Sequence, residues 1–119
     1  MYNIDLNKVI TLVRGDTFIY DYKINIGTDL FPEYYDMQEG DYLYFGIMEP
    51  NQVFEESVIK KRYGFEDFED GKIKIKLNSD DTECLTTGKY YYTIKLVKNK
   101  DGDDCEVITT QPNTLFFLV

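Results

Sequence analysis

Thr17-Phe18-Ile19-Tyr20-Asp21-Tyr22-Lys23-Ile24-Asn25-Ile26 places Phe18, Tyr20, Tyr22, Ile24 and Ile26 on alternate positions, with Asp21, Lys23 and Asn25 between them. Side chains leave a strand to opposite faces in turn, so this spacing gathers the apolar groups on one face of a half-buried strand. The pattern recurs in Lys72–Leu77, where Ile73, Ile75 and Leu77 alternate with three lysines. It returns in Lys89–Lys98, with Tyr90, Tyr92, Ile94 and Leu96 on the inward face and Tyr91, Thr93, Lys95 and Val97 on the other.

Shorter candidates lie around these three. Lys8–Val13 and Thr114–Val119 are continuous apolar runs, Asp41–Met48 is rich in aromatics, and Glu56–Tyr63 and Glu106–Thr110 read as strands of moderate strength. Tyr2–Leu6 leads into the first of them. Between them stand turn clusters: Arg14-Gly15-Asp16, Glu39-Gly40-Asp41, Asp70-Gly71 and Lys100-Asp101-Gly102-Asp103. Gly27–Gln38, with Pro32, reads as a longer connection, and Asn78–Gly88 has room for one helical turn around Asp81–Leu85. No segment sustains a 3.6-residue repeat. The expectation is one domain over 1–119, an all-β antiparallel sandwich of about seven or eight short strands.

Composition supports a self-sufficient core. The chain has 119 residues, 43% of them hydrophobic, with 11 Tyr and 8 Phe. A chain of this size and content buries a core without metal or disulfide staples. Cys84 and Cys105 fall near turns, so one disulfide is conceivable, but a single pair is far from a disulfide framework and free thiols are expected. Asp5 and Lys8 interrupt the N-terminal apolar stretch, leaving no signal-peptide core, so synthesis in a cytoplasm is expected.

The formal charge is −9, from 13 Lys plus Arg and 22 Asp plus Glu. Residues 1–60 hold 4 basic and 11 acidic side chains, and residues 61–119 hold 9 and 11. Phosphate backbones and anionic headgroups both call for a basic footprint, so neither nucleic acid nor membrane is an expected partner.

Chemistry finds little to work with. The chain has no histidine, which removes the commonest general base and the commonest transition-metal ligand. The carboxylates of Glu66-Asp67-Phe68-Glu69-Asp70-Gly71 read as a solvated hairpin loop. Asp101-Gly102-Asp103-Asp104 lacks the following Glu of a calcium loop and reads as a β-turn. Arg14-Gly15-Asp16 spells an integrin-binding tripeptide, but it separates two strands, where Gly is wanted for the turn. Catalytic residues, cofactor and metal are all expected to be none. The tyrosines admit two readings. Tyr34-Tyr35 and Tyr90-Tyr91-Tyr92 could stack sugars, which keeps a glycan- or receptor-binding module open. Tyr is also common at protein interfaces, and the inward Tyr90 and Tyr92 leave Tyr34, Tyr35 and Tyr91 as the expected interface residues.

Read as an ordered string, the chain resembles the immunoglobulin-like domain at the N-terminus of upper baseplate proteins in phages of Gram-positive bacteria. The resemblance begins at Arg14-Gly15-Asp16-Thr17 and continues through Tyr44-Phe45-Gly46-Ile47-Met48 and Val58-Ile59-Lys60-Lys61. It goes on through Asp70–Leu77, Asp80-Asp81-Thr82 before Leu85, and Gly88-Lys89-Tyr90-Tyr91-Tyr92-Thr93-Ile94, and closes with Thr114–Val119. It implies an immunoglobulin-like sandwich and a non-enzymatic structural subunit of a bacteriophage virion. Its implied partners are other virion proteins or copies of itself in a symmetric assembly. Upper baseplate proteins continue beyond this domain toward a receptor-binding tip, so a capsid-decoration, neck or tail-surface place is expected equally with the baseplate.

Overall fold

The structure, a computed structural model, describes residues 2–100 and 102–119. Its strands, in chain order, are β1 (Tyr2–Ile4), β2 (Ile10–Leu12), β3 (Phe18–Tyr22), β4 (Tyr42–Met48), β5 (Ile59–Gly64), β6 (Phe68–Glu69), β7 (Lys72–Leu77), β8 (Gly88–Lys98) and β9 (Glu106–Leu118). One short helix, α1 (Ser79–Glu83), stands two residues ahead of the helical turn expected around Asp81–Leu85. Single 3₁₀ turns occupy Phe54–Glu56 and Phe65–Asp67.

Six strands form one sheet in the order β1-β2-β9-β8-β4-β5, and three form another in the order β3-β7-β6. Immunoglobulin sandwiches set strands B, E and D on one sheet against G, F and C on the other. Here β3, β7 and β6 take the first set of places and β9, β8 and β4 the second. A tyrosine corner completes the likeness: the Tyr90 hydroxyl, near the start of β8, donates to the Thr86 carbonyl oxygen four residues upstream at 2.7 Å.

Pairing is antiparallel throughout except between β2 and β9, which run parallel with Ile10 opposite Phe116 and Leu12 opposite Leu118. Strands from opposite ends of the chain need no tight turn to meet, so parallel pairing is open to them. The strand count exceeds the expected seven or eight because Tyr2–Ile4, read as a lead-in, pairs with β2 as a strand of its own, and Phe68–Glu69, read as loop, adds a short ladder to β7. In the other direction, Glu106–Thr110 and Thr114–Val119 merge into one strand. Register shifts between Tyr92 and Lys95 give β9 its extra residues, and Pro112, which has no N–H to offer a ladder, sits in that irregular stretch. Thr17–Ile26 also differs: the ladder with β7 stops at Tyr22. Beyond it the backbone pairs with its own returning loop, through Tyr35 N–H to the Ile24 carbonyl (2.8 Å) and Ile26 N–H to the Glu33 carbonyl (2.9 Å).

The core lies between the sheets. Phe18, Ile73, Ile75 and Leu77 from the small sheet meet Phe45, Tyr92, Ile94, Leu96 and Phe116 from the large one, all buried. Each such side chain contributes roughly 1.5–3 kcal/mol by leaving water. The phenols that enter this layer keep partners. Tyr92 donates to the Lys8 carbonyl at 2.5 Å, and Tyr22 bridges the two sheets to Thr110 Oγ1 at 2.8 Å. Burial pushes the Tyr22 phenol up to about 12 and raises Tyr92 further.

Candidate functional site

Two regions present unusual surfaces. The first is the connection from β3 to β4. It is held at its far end by Asp41, which is only 3% exposed. One carboxylate oxygen accepts the Tyr35 hydroxyl (2.5 Å) and the Gln38 N–H (2.9 Å), and the other accepts the Asn99 N–H (2.9 Å) from the end of β8. Lys100 N–H adds a bond to the Gly40 carbonyl at 3.1 Å, so the β3–β4 and β8–β9 connections are tied together. Desolvation first, then the hydrogen bond to Asp41 and its charge, hold the Tyr35 phenol well above its ordinary value.

The near end is shaped as firmly. Asn25 Oδ1 accepts the N–H groups of Gly27 (2.9 Å) and Glu33 (3.0 Å), and Thr28 exchanges bonds with Phe31 through its backbone N–H and its hydroxyl. The result is an ordered turn whose tip carries Leu30 at 85% and Phe31 at 81% exposure. An ordered turn that holds two large apolar side chains in water is an unusual surface feature.

The second region is the outward face of the six-stranded sheet. Cross-strand registers put Tyr42, Tyr44 and Gly46 of β4 beside Arg62 and Lys60 of β5 and beside Val97, Lys95 and Thr93 of β8. The 3₁₀ turn at Phe54–Glu56 folds back over this face. Phe54 lies on Gly46 so closely that an added Cβ there would meet its ring at 2.6 Å. Lys60 and Lys95 both approach the Phe54 ring, at 4.7 and 4.6 Å from its centre. Arg62 and Lys100 approach Tyr42 at 5.0 and 5.4 Å, and Lys100 Nζ donates to the Tyr44 hydroxyl at 2.8 Å. At outward positions β5 carries Lys60 and Arg62 and β8 carries Lys89 and Lys95, and none of these four strand residues has a carboxylate as its register partner.

The three tyrosines singled out from the sequence go to three places. Tyr34 is 60% exposed beside the loop tip, with Lys23 Nζ 5.3 Å from its ring centre. It borders a cleft of about 590 Å³, which runs along Tyr20 and Tyr22 of the edge strand β3 and past Leu6, Lys8 and Gln111. Tyr35 is half-buried and serves the Asp41 clamp. Tyr91 points outward on β8 under Lys89, at 5.5 Å. Sequence reading passed over Leu30, Phe31, Asp41, Phe54, Lys60 and Lys95. The one signal for the tip was an apolar Leu-Phe pair inside an acidic, Pro-containing connection.

The remaining motifs are structural. In Arg14-Gly15-Asp16, Gly15 takes φ +86° and its N–H donates to Thr82 Oγ1 (2.9 Å), while Arg14 reaches the Leu85 carbonyl, so the tripeptide braces the turn against α1. Asp67 accepts the Gly64 N–H at 2.9 Å and closes its own 3₁₀ turn. In the Lys100–Asp104 turn, Asp101 lies outside the described residues. Among the described residues no group of three or more His, Cys, Asp or Glu could hold a metal ion. Cys84 and Cys105 are exposed free thiols. Set against family models, curated proteins and solved structures, the chain matches none.

Proposed function

We propose that this chain is a non-enzymatic structural subunit of a bacteriophage virion, working by protein–protein assembly. The observation that carries the assembly reading is the firmly tied loop that holds Leu30 and Phe31 in solvent. A tip shaped in advance loses little conformational freedom when it docks, and burying its apolar groups repays contact. The virion part of the proposal rests on the order of sequence motifs, from Arg14-Gly15-Asp16-Thr17 to Thr114–Val119, and on the immunoglobulin-type strand order that those motifs build.

A glycan-binding reading is less well supported. Sugars stack on bare ring faces, whereas Tyr42, Phe54 and Tyr91 already have cations over theirs. Quantitative mass spectrometry of purified phage particles, counting this chain against the major capsid protein, tests the proposal. A count near that of the capsid protein favours a head or tail-surface lattice. A count of a few copies favours baseplate or neck. Absence from particles ends the virion reading.

A further inference from the structure

We propose that the β3–β4 loop tip of one copy docks into the outward face of the six-stranded sheet of a second copy, joining subunits head to tail. The inference rests on the assembly reading above and names its partner. From Ile24 to Ile59 the chain has no Lys or Arg but carries Asp29, Glu33, Asp36, Glu39, Asp41, Glu49, Glu55 and Glu56. The tip is therefore an apolar pair, Leu30-Phe31, between Asp29 and Glu33 in a wholly acidic stretch.

The opposite chemistry lies on the sheet. Tyr44, Phe54, Val97 and Val107 surround a shallow hollow of about 310 Å³ that has room for an aromatic ring. Lys60 and Lys95 line it too, with Glu55 its one carboxylate, and Val107 is 60% exposed. Phe31 matches the apolar floor, and Asp29 and Glu33 match the two lysines that line it. Charge favours the same pairing over long range. With Lys60, Arg62, Lys89 and Lys95 on this face beside Glu55, the rest of the chain has 9 basic against 21 acidic residues, so any copy presents an acidic surface to the basic face of its neighbour.

Tip and hollow are different patches, so the contact is heterologous. Each docked pair keeps one free tip and one free hollow between its two members, so the series closes as a ring or extends as a filament. An isologous dimer would not behave this way.

Sedimentation velocity on the purified chain and two variants tests this. Wild type is expected to form dimers and larger species as concentration rises in low salt, and to dissociate in high salt. F31D spoils the tip and K60E/K95E spoils the hollow, so each alone is expected to be monomeric, with at least about tenfold weaker association. Mixed in equal amounts, the two keep one good tip and one good hollow between them and are expected to give a dimer and nothing larger. Circular dichroism checks that both variants fold, and V107D takes the place of K60E/K95E if the latter does not. A wild type that is monomeric at every concentration overturns the proposal, as does association that survives both variants or a mixture that stays monomeric. Particles that contain the chain while the pure chain stays monomeric would leave the virion reading standing and remove the second copy as the occupant.

Discussion

The outward faces of the two sheets both carry lysines, yet they treat them differently. On the small sheet, Lys74 stands across from Asp21 and Lys72 across from Glu69, and Asp67 and Asp70 border the same hollow. On the large sheet, the strand cations face aromatic rings: Lys60 and Lys95 at Phe54, and Arg62 at Tyr42. A carboxylate neighbour cancels a lysine's charge as seen from a distance, but a ring only positions it. The small face is therefore near neutral and the large face stays positive, on a chain whose total is −9. Local neutralisation, not the number of lysines, decides which face can attract an acidic partner.

Alkali should break this arrangement most severely, because it attacks the tyrosine layer that both sheets share. The unfolded Tyr22 phenol loses its proton near the ordinary tyrosine value of 10.0, whereas the folded one holds it until about 12. Between those values the unfolded state binds fewer protons, so stability is complete below about pH 10 and falls as pH rises toward 12. Tyr20, Tyr35, Tyr63 and Tyr92 shift in the same direction and add to the fall. Urea unfolding at stepped pH should show it, with a shallower decline in Tyr22→Phe.

Gly46→Val comes next. Its side chain must displace the Phe54 ring and Ser57 Oγ, each 2.6 Å from the new Cβ, and lift the 3₁₀ turn from the sheet. A loss of about 2 kcal/mol is expected from overpacking, read as a lower urea midpoint with the slope unchanged. Phe54→Ala should cost about 1–2 kcal/mol, through two cation–ring contacts and the packing on Gly46. Lys74→Ala on the small sheet is the smallest effect, within about 0.5 kcal/mol, since exposed charge pairs contribute little. Equal losses for Phe54→Ala and Lys74→Ala would erase the distinction between the two faces.

Much of the fold was legible because period-two alternation survives in each strand regardless of its neighbours. Lys72–Leu77 was read with its bounds intact, and the inward Tyr90 and Tyr92 and outward Tyr91 of β8 lie as their alternation requires. Boundaries failed where backbone partners came from elsewhere. Thr17–Ile26 loses its second half to a hairpin with residues 33–35, and Pro112 is carried within β9 by a bulge that only the pairing with β8 defines. The candidate surfaces were less legible still. Tyr34 lies beside the exposed tip, but Tyr35, its neighbour in sequence, turns to the Asp41 carboxylate, a partner six residues away.

By itself the sequence determined an all-β sandwich with one tyrosine- and isoleucine-lined interior and an acidic total charge. Alternation, turn residues and net charge are properties of each segment or of the sum, and no tertiary contact is needed to state them. Only the tertiary structure decided where the charge lies. Lys60, Lys95 and Phe54 are brought together by the β5-β4-β8 registers and by a turn folding over Gly46. Asp41 reaches Asn99 across 58 residues to hold the far end of the β3–β4 connection. Such groupings come from pairing between distant segments, and side-chain alternation along one strand carries no record of which strand lies beside it.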